Sequence, residues 1–135
     1  MKRLFALALT LASVPAGSAV PVTGKWVTTE KDSVVAIAPC GAHLCGRIER
    51  ILKPKPGGPV VDANNPNPAL RSRPILGMAI LTGFADAGKK WTGTIYDPRA
   101  GKSYRSEIVK LANGHLQVKG CVGMFCRTMV WTPAG

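Results

Sequence analysis

Short runs of β-branched and aromatic residues, each ended by a turn signal, recur along most of this sequence. No segment repeats its apolar residues at the 3.6-residue period of a helix. We predict eight strands, at 24–27, 33–38, 45–52, 77–84, 90–96, 103–111, 115–120 and 124–132. Consecutive strands with short connections predict an antiparallel meander, and closure into a barrel buries one face and removes the exposed edges. The predicted fold is therefore all-β, a small antiparallel eight-stranded meander barrel.

One connection is long. Residues 53–74 are rich in Pro, Gly and Asn, with Pro at 54, 56, 59, 66, 68 and 74. Such a stretch forms neither an interior strand nor a regular helix, so we predict a long ordered loop. It can lie over one end of the barrel as a lid, or it can plug an open seam.

The first nineteen residues resemble a signal peptide. Lys2 and Arg3 precede an uncharged apolar run that is shorter than a membrane-spanning helix, and small residues lead to Ala19. We predict a signal peptide over 1–19 and a single barrel domain over 20–135, without a transmembrane anchor in the mature form. An uncleaved or lipid-tethered form is the alternative. Export predicts a periplasmic or secreted protein in an oxidising compartment.

The four cysteines form two pairs with the same spacing. Cys40 and Cys45 flank one predicted turn, and Cys121 and Cys126 flank another. In a meander these two turns lie at opposite ends of the barrel, so we predict two local disulfides, Cys40–Cys45 and Cys121–Cys126. The alternative is a metal site that uses Cys40, His43, Cys45 and the second cysteine pair, but the four-residue spacing, the separation of the pairs and the oxidising compartment favour disulfides.

Three stretches together resemble a family of exported bacterial proteins called domain of unknown function 2147. They are CGRI at 45–48, DANNPNPALRSRPILG at 62–77 and WTGTIYDPRAGKSY at 91–104. The likeness continues through Gly120, Cys121 and the terminal Trp131 and Thr132. It implies export and a lipocalin-type barrel, and it implies no particular activity.

A looser resemblance is to the lipocalin and fatty-acid-binding superfamily. Its first strand carries Gly-x-Trp, and its last strand supplies an Arg that packs over that Trp. Gly24-Lys25-Trp26 and Arg127 fit this pattern, which implies barrel closure by a cation–π contact. The short chain and the missing helix after the barrel depart from it.

The sequence predicts no catalytic site and no cofactor. His43 lies in a disulfide-flanked turn, His115 follows a hairpin turn, and no Ser has a Gly-x-Ser-x-Gly context. Asp62 and Asn65 can hold a ligand or cation, but Asx residues beside Pro more often form turns.

The first functional hypothesis is non-catalytic binding of a small, partly apolar ligand inside the barrel. Alternation places Met78, Ile80, Thr82 and Phe84 on one face, and Trp91 and Ile95 on another. An eight-stranded barrel is either just filled by side chains or able to hold one small ligand. The predicted contact residues are these apolar side chains and three polar ones: Met78, Ile80, Phe84, Trp91, Ile95, Asn65, Arg71 and Arg73.

The second hypothesis is recognition of an anionic envelope component or a partner protein by the basic long loop. The chain carries 18 Lys and Arg against 7 Asp and Glu, a net charge of +11. Only two acids lie between residues 47 and 73, against six basic residues. The basic residues are Arg47, Arg50, Lys53, Lys55, Arg71 and Arg73. The alternative is an ordinary solvated basic face. Nucleic acid is not an expected partner, because export removes it and no aromatics interleave with the basic run.

Overall fold

The computed structural model describes residues 18–54 and 60–135, and in them eight antiparallel strands form a closed barrel in chain order. The predicted meander barrel is confirmed. The predicted signal peptide lies almost wholly outside the described residues. The strands are β1 (Gly24–Val27), β2 (Ser33–Cys40), β3 (His43–Ile51), β4 (Ala79–Asp86), β5 (Trp91–Asp97), β6 (Lys102–Lys110), β7 (Leu116–Val122) and β8 (Phe125–Pro133).

The barrel closes through a short ladder between its first and last strands. Trp26 pairs with Pro133 and Val27 with Thr132. Arg127 is opposite Gly120 on β7 and is exposed, about 20 Å along β8 from the residue that faces Trp26. The predicted contact between Arg127 and Trp26 is therefore wrong. The Trp26 indole instead donates to the carbonyl of Val22, at 3.0 Å.

The interior of the barrel is filled by side chains. Core residues from all eight strands retain at most 8% of their accessible surface, which leaves little area facing any internal cavity. Two glycines make room for the largest of them. A Cβ on Gly46 would lie 2.7 Å from Leu81, and one on Gly93 would lie 2.7 Å from Phe84. Large side chains of β4 therefore fill the space that β3 and β5 leave empty.

Strand β4 does not alternate as predicted. The register of β4 shifts against β3 and again against β5. Gly83 lies within the second shift, between Thr82 and Ala85, and has φ +65°. A bulge adds a residue and changes the face on which the next side chains lie. Leu81 and Phe84 are therefore both buried, whereas Thr82 is exposed, and its predicted place on the inner face is wrong.

The two ends of the barrel are closed differently. Because the strands alternate in direction, the β3–β4 connection shares one end, here called the long-loop end, with the β1–β2, β5–β6 and β7–β8 turns. At the opposite end the segment before β1 packs against the barrel. Val22 is buried there, and the Ala19 amide donates to the Asp86 carboxylate at 3.0 Å.

Both predicted disulfides are present. Cys40 is bonded to Cys45 and Cys121 to Cys126, with Cα atoms 5.5 and 4.0 Å apart. Each bond links the two strands of one hairpin, in the β2–β3 and β7–β8 pairs. Since these bonds use all four cysteines, the alternative metal site with Cys40 and Cys45 is wrong.

Candidate functional site

The described part of the long loop is organised around one buried carboxylate. Asp62 is fully buried, and its Oδ1 accepts a hydrogen bond from the Tyr96 hydroxyl at 2.7 Å. Its Oδ2 accepts from the Asn65 amide at 2.8 Å and from the Arg73 guanidinium at 3.2 Å. A buried charge is tolerated when it is paired and hydrogen-bonded in this way. Asp62 therefore fixes the loop to the β5 strand that carries Tyr96.

The same contacts set the protonation of the two groups. Burial alone raises the pKa of Asp62, but the hydrogen bonds from Asn65, Tyr96 and Arg73 and the charge of Arg73 lower it, and the net pKa is below its usual value. Burial and the neighbouring carboxylate raise the pKa of Tyr96 to about 12. The pair therefore stays as carboxylate and neutral phenol across the physiological range.

The Asn-Pro-Asn-Pro run continues this structure. The Asn67 side chain accepts from the Ala69 amide and caps a single 3-10 turn at Pro68–Leu70. Asn65 Oδ1 accepts from the Asn67 amide, and Arg71 Nε donates to the Asn65 carbonyl, both at 2.8 Å. Asx side chains that bond to backbone two residues ahead form this kind of turn. The run is thus explained by the folding of the loop.

The β5–β6 turn is fitted to the loop. Asn64 donates to the carbonyl of Arg99 at 3.0 Å. Gly101 has φ +64°, and a Cβ there would lie 1.8 Å from the Asn64 carbonyl oxygen. Only glycine fits this position, because other residues would meet both a strained backbone and a clash.

The predicted contact residues divide into two groups. Asn65, Arg71 and Arg73 lie together in the loop, and the side chain of each donates a hydrogen bond to another loop residue. The apolar residues belong to the core or pack against it: Met78, Ile80, Phe84, Trp91 and Ile95. The structure does not join the two groups into one open pocket.

A depression lies outside the barrel on the β2–β3 hairpin. It has a volume of about 250 Å³ and is lined by Ala36, Ala38, Pro39, Cys40, Cys45 and Arg47. Ala36 and Ala38 flank the buried Ile37 on β2 and are therefore on the outer face of the strand. Their small side chains, beside the disulfide, make the surface concave. Sequence analysis did not predict this depression.

The acids of the chain are all engaged within the protein. All seven lie in the described ranges: six form ion pairs, and Asp86 accepts from backbone amides. The ion pairs are Lys25–Glu49, Arg73–Asp62, Lys90–Glu107, Arg105–Glu107 and those of Arg99 with Glu30, Asp32 and Asp97. Fifteen Lys and Arg lie in the described ranges and five of them form these pairs, so ten form no ion pair there. The surface is therefore strongly positive.

The described residues show neither a metal-ligand cluster nor a membrane-spanning helix. No three His, Cys, Asp or Glu side chains among them come together as metal ligands. None of the helical structure in this part of the chain is long and apolar enough to cross a membrane.

Comparison with known families assigns the chain to one of them. Residues 24–133 match the model of a family described as "Uncharacterized protein conserved in bacteria (DUF2147)". The chain belongs to the DUF2147 family. The match spans the whole barrel, from the first residue of β1 to the last of β8. The resemblance inferred from the loop and turn motifs is thereby confirmed.

A solved structure supports the fold of this DUF2147 protein. The structure is described as "Protein HP1028 from the human pathogen Helicobacter pylori belongs to the lipocalin family". The two are 24% identical with a TM-score of 0.73, over 86% of this chain and 84% of that one. The likeness supports a lipocalin-like barrel. A search of curated proteins found no match.

Proposed function

We propose that this DUF2147 protein is an exported, non-catalytic binding protein that recognises a phosphate-bearing anionic component of the cell envelope through its outer surface. The observation that carries the proposal is that all seven acids are engaged internally while ten described Lys and Arg form no ion pair. Cations without local partners attract an external polyanion and release its counterions. Two disulfides are typical of a protein outside the cytoplasm.

The packing of the barrel supports an outer rather than an inner binding surface. Lipocalin-like barrels can hold a small apolar ligand, and this remains the second candidate function. Here Leu81 and Phe84 occupy the space beside Gly46 and Gly93. A ligand inside would have to displace such side chains, and each displaced group costs the free energy of a buried apolar side chain, about 1.5–3 kcal/mol.

Within the basic surface, we assign recognition to the flank where β3 runs into the long loop. Arg50 and Lys53 are exposed there and form no ion pair among the described residues. Arg71 belongs to the same long connection and keeps its terminal nitrogens available, since only its Nε donates to the loop. Arg73 is committed to Asp62. Guanidinium groups suit this task because they pair with phosphate oxygens in a fork.

Binding of inorganic polyphosphate over a series of NaCl concentrations tests the proposal. We expect the Kd to rise at least about tenfold between 50 and 300 mM NaCl, because added salt screens exposed charges. The double variant Arg50→Gln/Lys53→Gln should weaken binding at low salt by roughly fivefold or more. The matched control Lys89→Gln/Lys110→Gln removes the same charge at the opposite end and should change the Kd by less than about twofold.

Three results would count against the proposal. The first is no binding at low salt, and the second is a Kd that does not change with salt. The third is equal weakening of binding by the two double variants, which would indicate a diffuse basic surface instead of a defined site. Native mass spectrometry of the gently purified protein addresses the second candidate. A co-purifying lipid or metabolite that remains bound at high salt would favour the barrel interior instead.

A further inference from the structure

The turn between β7 and β8 exposes three apolar side chains in a row of four residues. Met124 is 95% exposed, Phe125 is 86% exposed and Val122 is 64% exposed. No other described large apolar residue exceeds 69% exposure, so Met124 and Phe125 are the most solvated of them. Large side chains this exposed on a folded domain mark a surface that meets another apolar phase. We call Val122, Met124 and Phe125 the apolar tip.

The apolar tip is held rigidly. The Cys121–Cys126 disulfide joins the two strands one residue pair below it, and Val122 is paired with Phe125. Arg105 on the neighbouring β6 donates to the Gly123 carbonyl at 3.2 Å. A tip fixed before binding loses little conformational entropy when it binds.

The rest of the barrel leaves the tip uncovered. Strand β1 pairs with β8 only at Thr132 and Pro133, and the last polar contact from that side is from the Thr29 hydroxyl to the Val130 carbonyl. Phe125 lies five residues beyond Val130, about 17 Å along the strand. The tip is therefore the end of a two-stranded ribbon at the long-loop end of the barrel.

Basic side chains surround the base of this ribbon. Arg127 follows Phe125 by two residues, and Lys102 and Arg105 lie at the start of β6. All three are exposed. Two acids lie near these side chains, and both are paired. Asp97, opposite Lys102, pairs with Arg99. Glu107 pairs with Lys90 and Arg105, and the hydrogen bond from Lys90 lowers its pKa, so it stays ionised. Lys119, opposite Glu107 on β7, adds a further positive charge.

We propose that the apolar tip inserts into the interfacial region of an anionic phospholipid bilayer, with Lys102 and Arg127, which form no ion pair among the described residues, at the headgroups. Convex apolar residues with basic neighbours have the polarity profile of that interface. A protein partner fits less well, because three side chains offer on the order of 500 Å², below the roughly 800 Å² per partner of a stable interface. The electrostatic part of this inference rests on the proposed function, whereas the apolar part does not.

Co-sedimentation of the protein with vesicles tests the inference. The vesicles are phosphatidylglycerol and phosphatidylcholine at 1:3, compared with phosphatidylcholine alone. We expect Met124→Ser/Phe125→Ser to weaken binding to the anionic vesicles by at least about thirtyfold, since each side chain contributes roughly tenfold when partly buried. Lys102→Gln/Arg127→Gln should weaken it about tenfold or more, at about fivefold for each charge removed.

Leu76→Ser is the matched apolar control. Leu76 is 56% exposed but lies just before β4, three strands from β7 in the barrel, and its loss should leave vesicle binding unchanged. Far-ultraviolet circular dichroism and the urea midpoint check that each variant is folded. The tip substitutions should leave both at wild-type values, because they remove no buried contact.

The outcomes separate this inference from the proposed function. Loss of vesicle binding in Met124→Ser/Phe125→Ser with polyphosphate binding intact supports insertion of the tip. If wild-type protein binds polyphosphate but not anionic vesicles, or if the serine variant still binds vesicles, the inference is wrong and the proposed function stands. Loss of both ligands in wild-type protein would refute both. Concentration-dependent dimerisation that disappears in the serine variant would assign the tip to a second copy of the chain and overturn the inference.

Discussion

Replacing Asp62 by Asn should destabilise the barrel more than the loss of any surface charge. The change keeps the size of the side chain but replaces one acceptor oxygen by an amide donor. The new amide group then faces either the Tyr96 hydroxyl or the donors of Asn65 and Arg73. These three donors are at 2.7, 2.8 and 3.2 Å from the carboxylate in the native protein. A buried donor left without a partner costs about 1–3 kcal/mol.

The ion pair with Arg73 adds less. The Arg73 side chain is 44% exposed, so solvent screens the pair, and its loss contributes about 0.2–1 kcal/mol. The expected decrease in the free energy of unfolding is therefore about 1–4 kcal/mol, a large share of a stability of about 5–15 kcal/mol.

Urea denaturation followed by tryptophan fluorescence measures this decrease. With a slope of about 2 kcal/mol per molar urea, the midpoint should fall by about 0.5–2 M. Glu49→Gln is the control, because it breaks the exposed pair with Lys25 and should cost less than about 1 kcal/mol. Tyr96→Phe should couple with Asp62→Asn by about 0.5–3 kcal/mol in a double-mutant cycle, since the two side chains share a hydrogen bond. If Asp62→Asn costs no more than Glu49→Gln, the carboxylate does not hold the loop.

Three further perturbations have defined outcomes. The pKa of Tyr96 is raised to about 12, above its ordinary value of 10.0, so its contribution to stability is complete below pH 10 and is lost as the pH rises toward 12; urea midpoints across that range should fall more steeply for wild type than for Tyr96→Phe, and parallel curves would contradict this. Gly101→Ala should cost at least about 2 kcal/mol more than Gly114→Ala, because both have positive φ but only Gly101 lies against the Asn64 carbonyl; equal costs in urea titrations would show that the turn moves away freely. Ser106 is fully buried and its hydroxyl has no hydrogen-bond partner among the described residues, so Ser106→Ala should raise the unfolding free energy by about 1 kcal/mol, and a loss of similar size would point to an unseen partner.

The sequence alone determined the secondary structure and the covalent links. Apolar residues that recur at every second position, in runs ended by Gly, Pro or Asn, are enough to locate strands. The reason is that strand side chains alternate between faces and that turns need special backbone angles. The observed strand ends differ from the predicted ones by at most two residues. The pairing of Cys40 with Cys45 followed because a meander separates the two hairpins. These properties depend on neighbours along the chain.

The role of the long-loop motif required the tertiary structure. Asn65, Arg71 and Arg73 have side chains that bind ligands in many proteins, so the sequence made them candidate contacts. In the fold they contact Asp62, one another's backbone or their own loop, because Tyr96 from a distant strand completes a buried polar cluster. No local pattern shows that Asp62 and Tyr96 meet, since they are 34 residues apart.

The register and the filling of the barrel were also decided only in three dimensions. Trp26 and Arg127 share the two closing strands, yet the register sets Trp26 opposite Pro133. A bulge near Gly83 places Leu81 and Phe84 on one side, against Gly46 and Gly93, and so fills the interior. Alternation along one strand determines which residues share a face, but a bulge or a shift in register depends on contacts with neighbouring strands. Whether a barrel of this size is filled or hollow depends on how side chains from several strands share its volume, and the sequence of one strand does not contain that information.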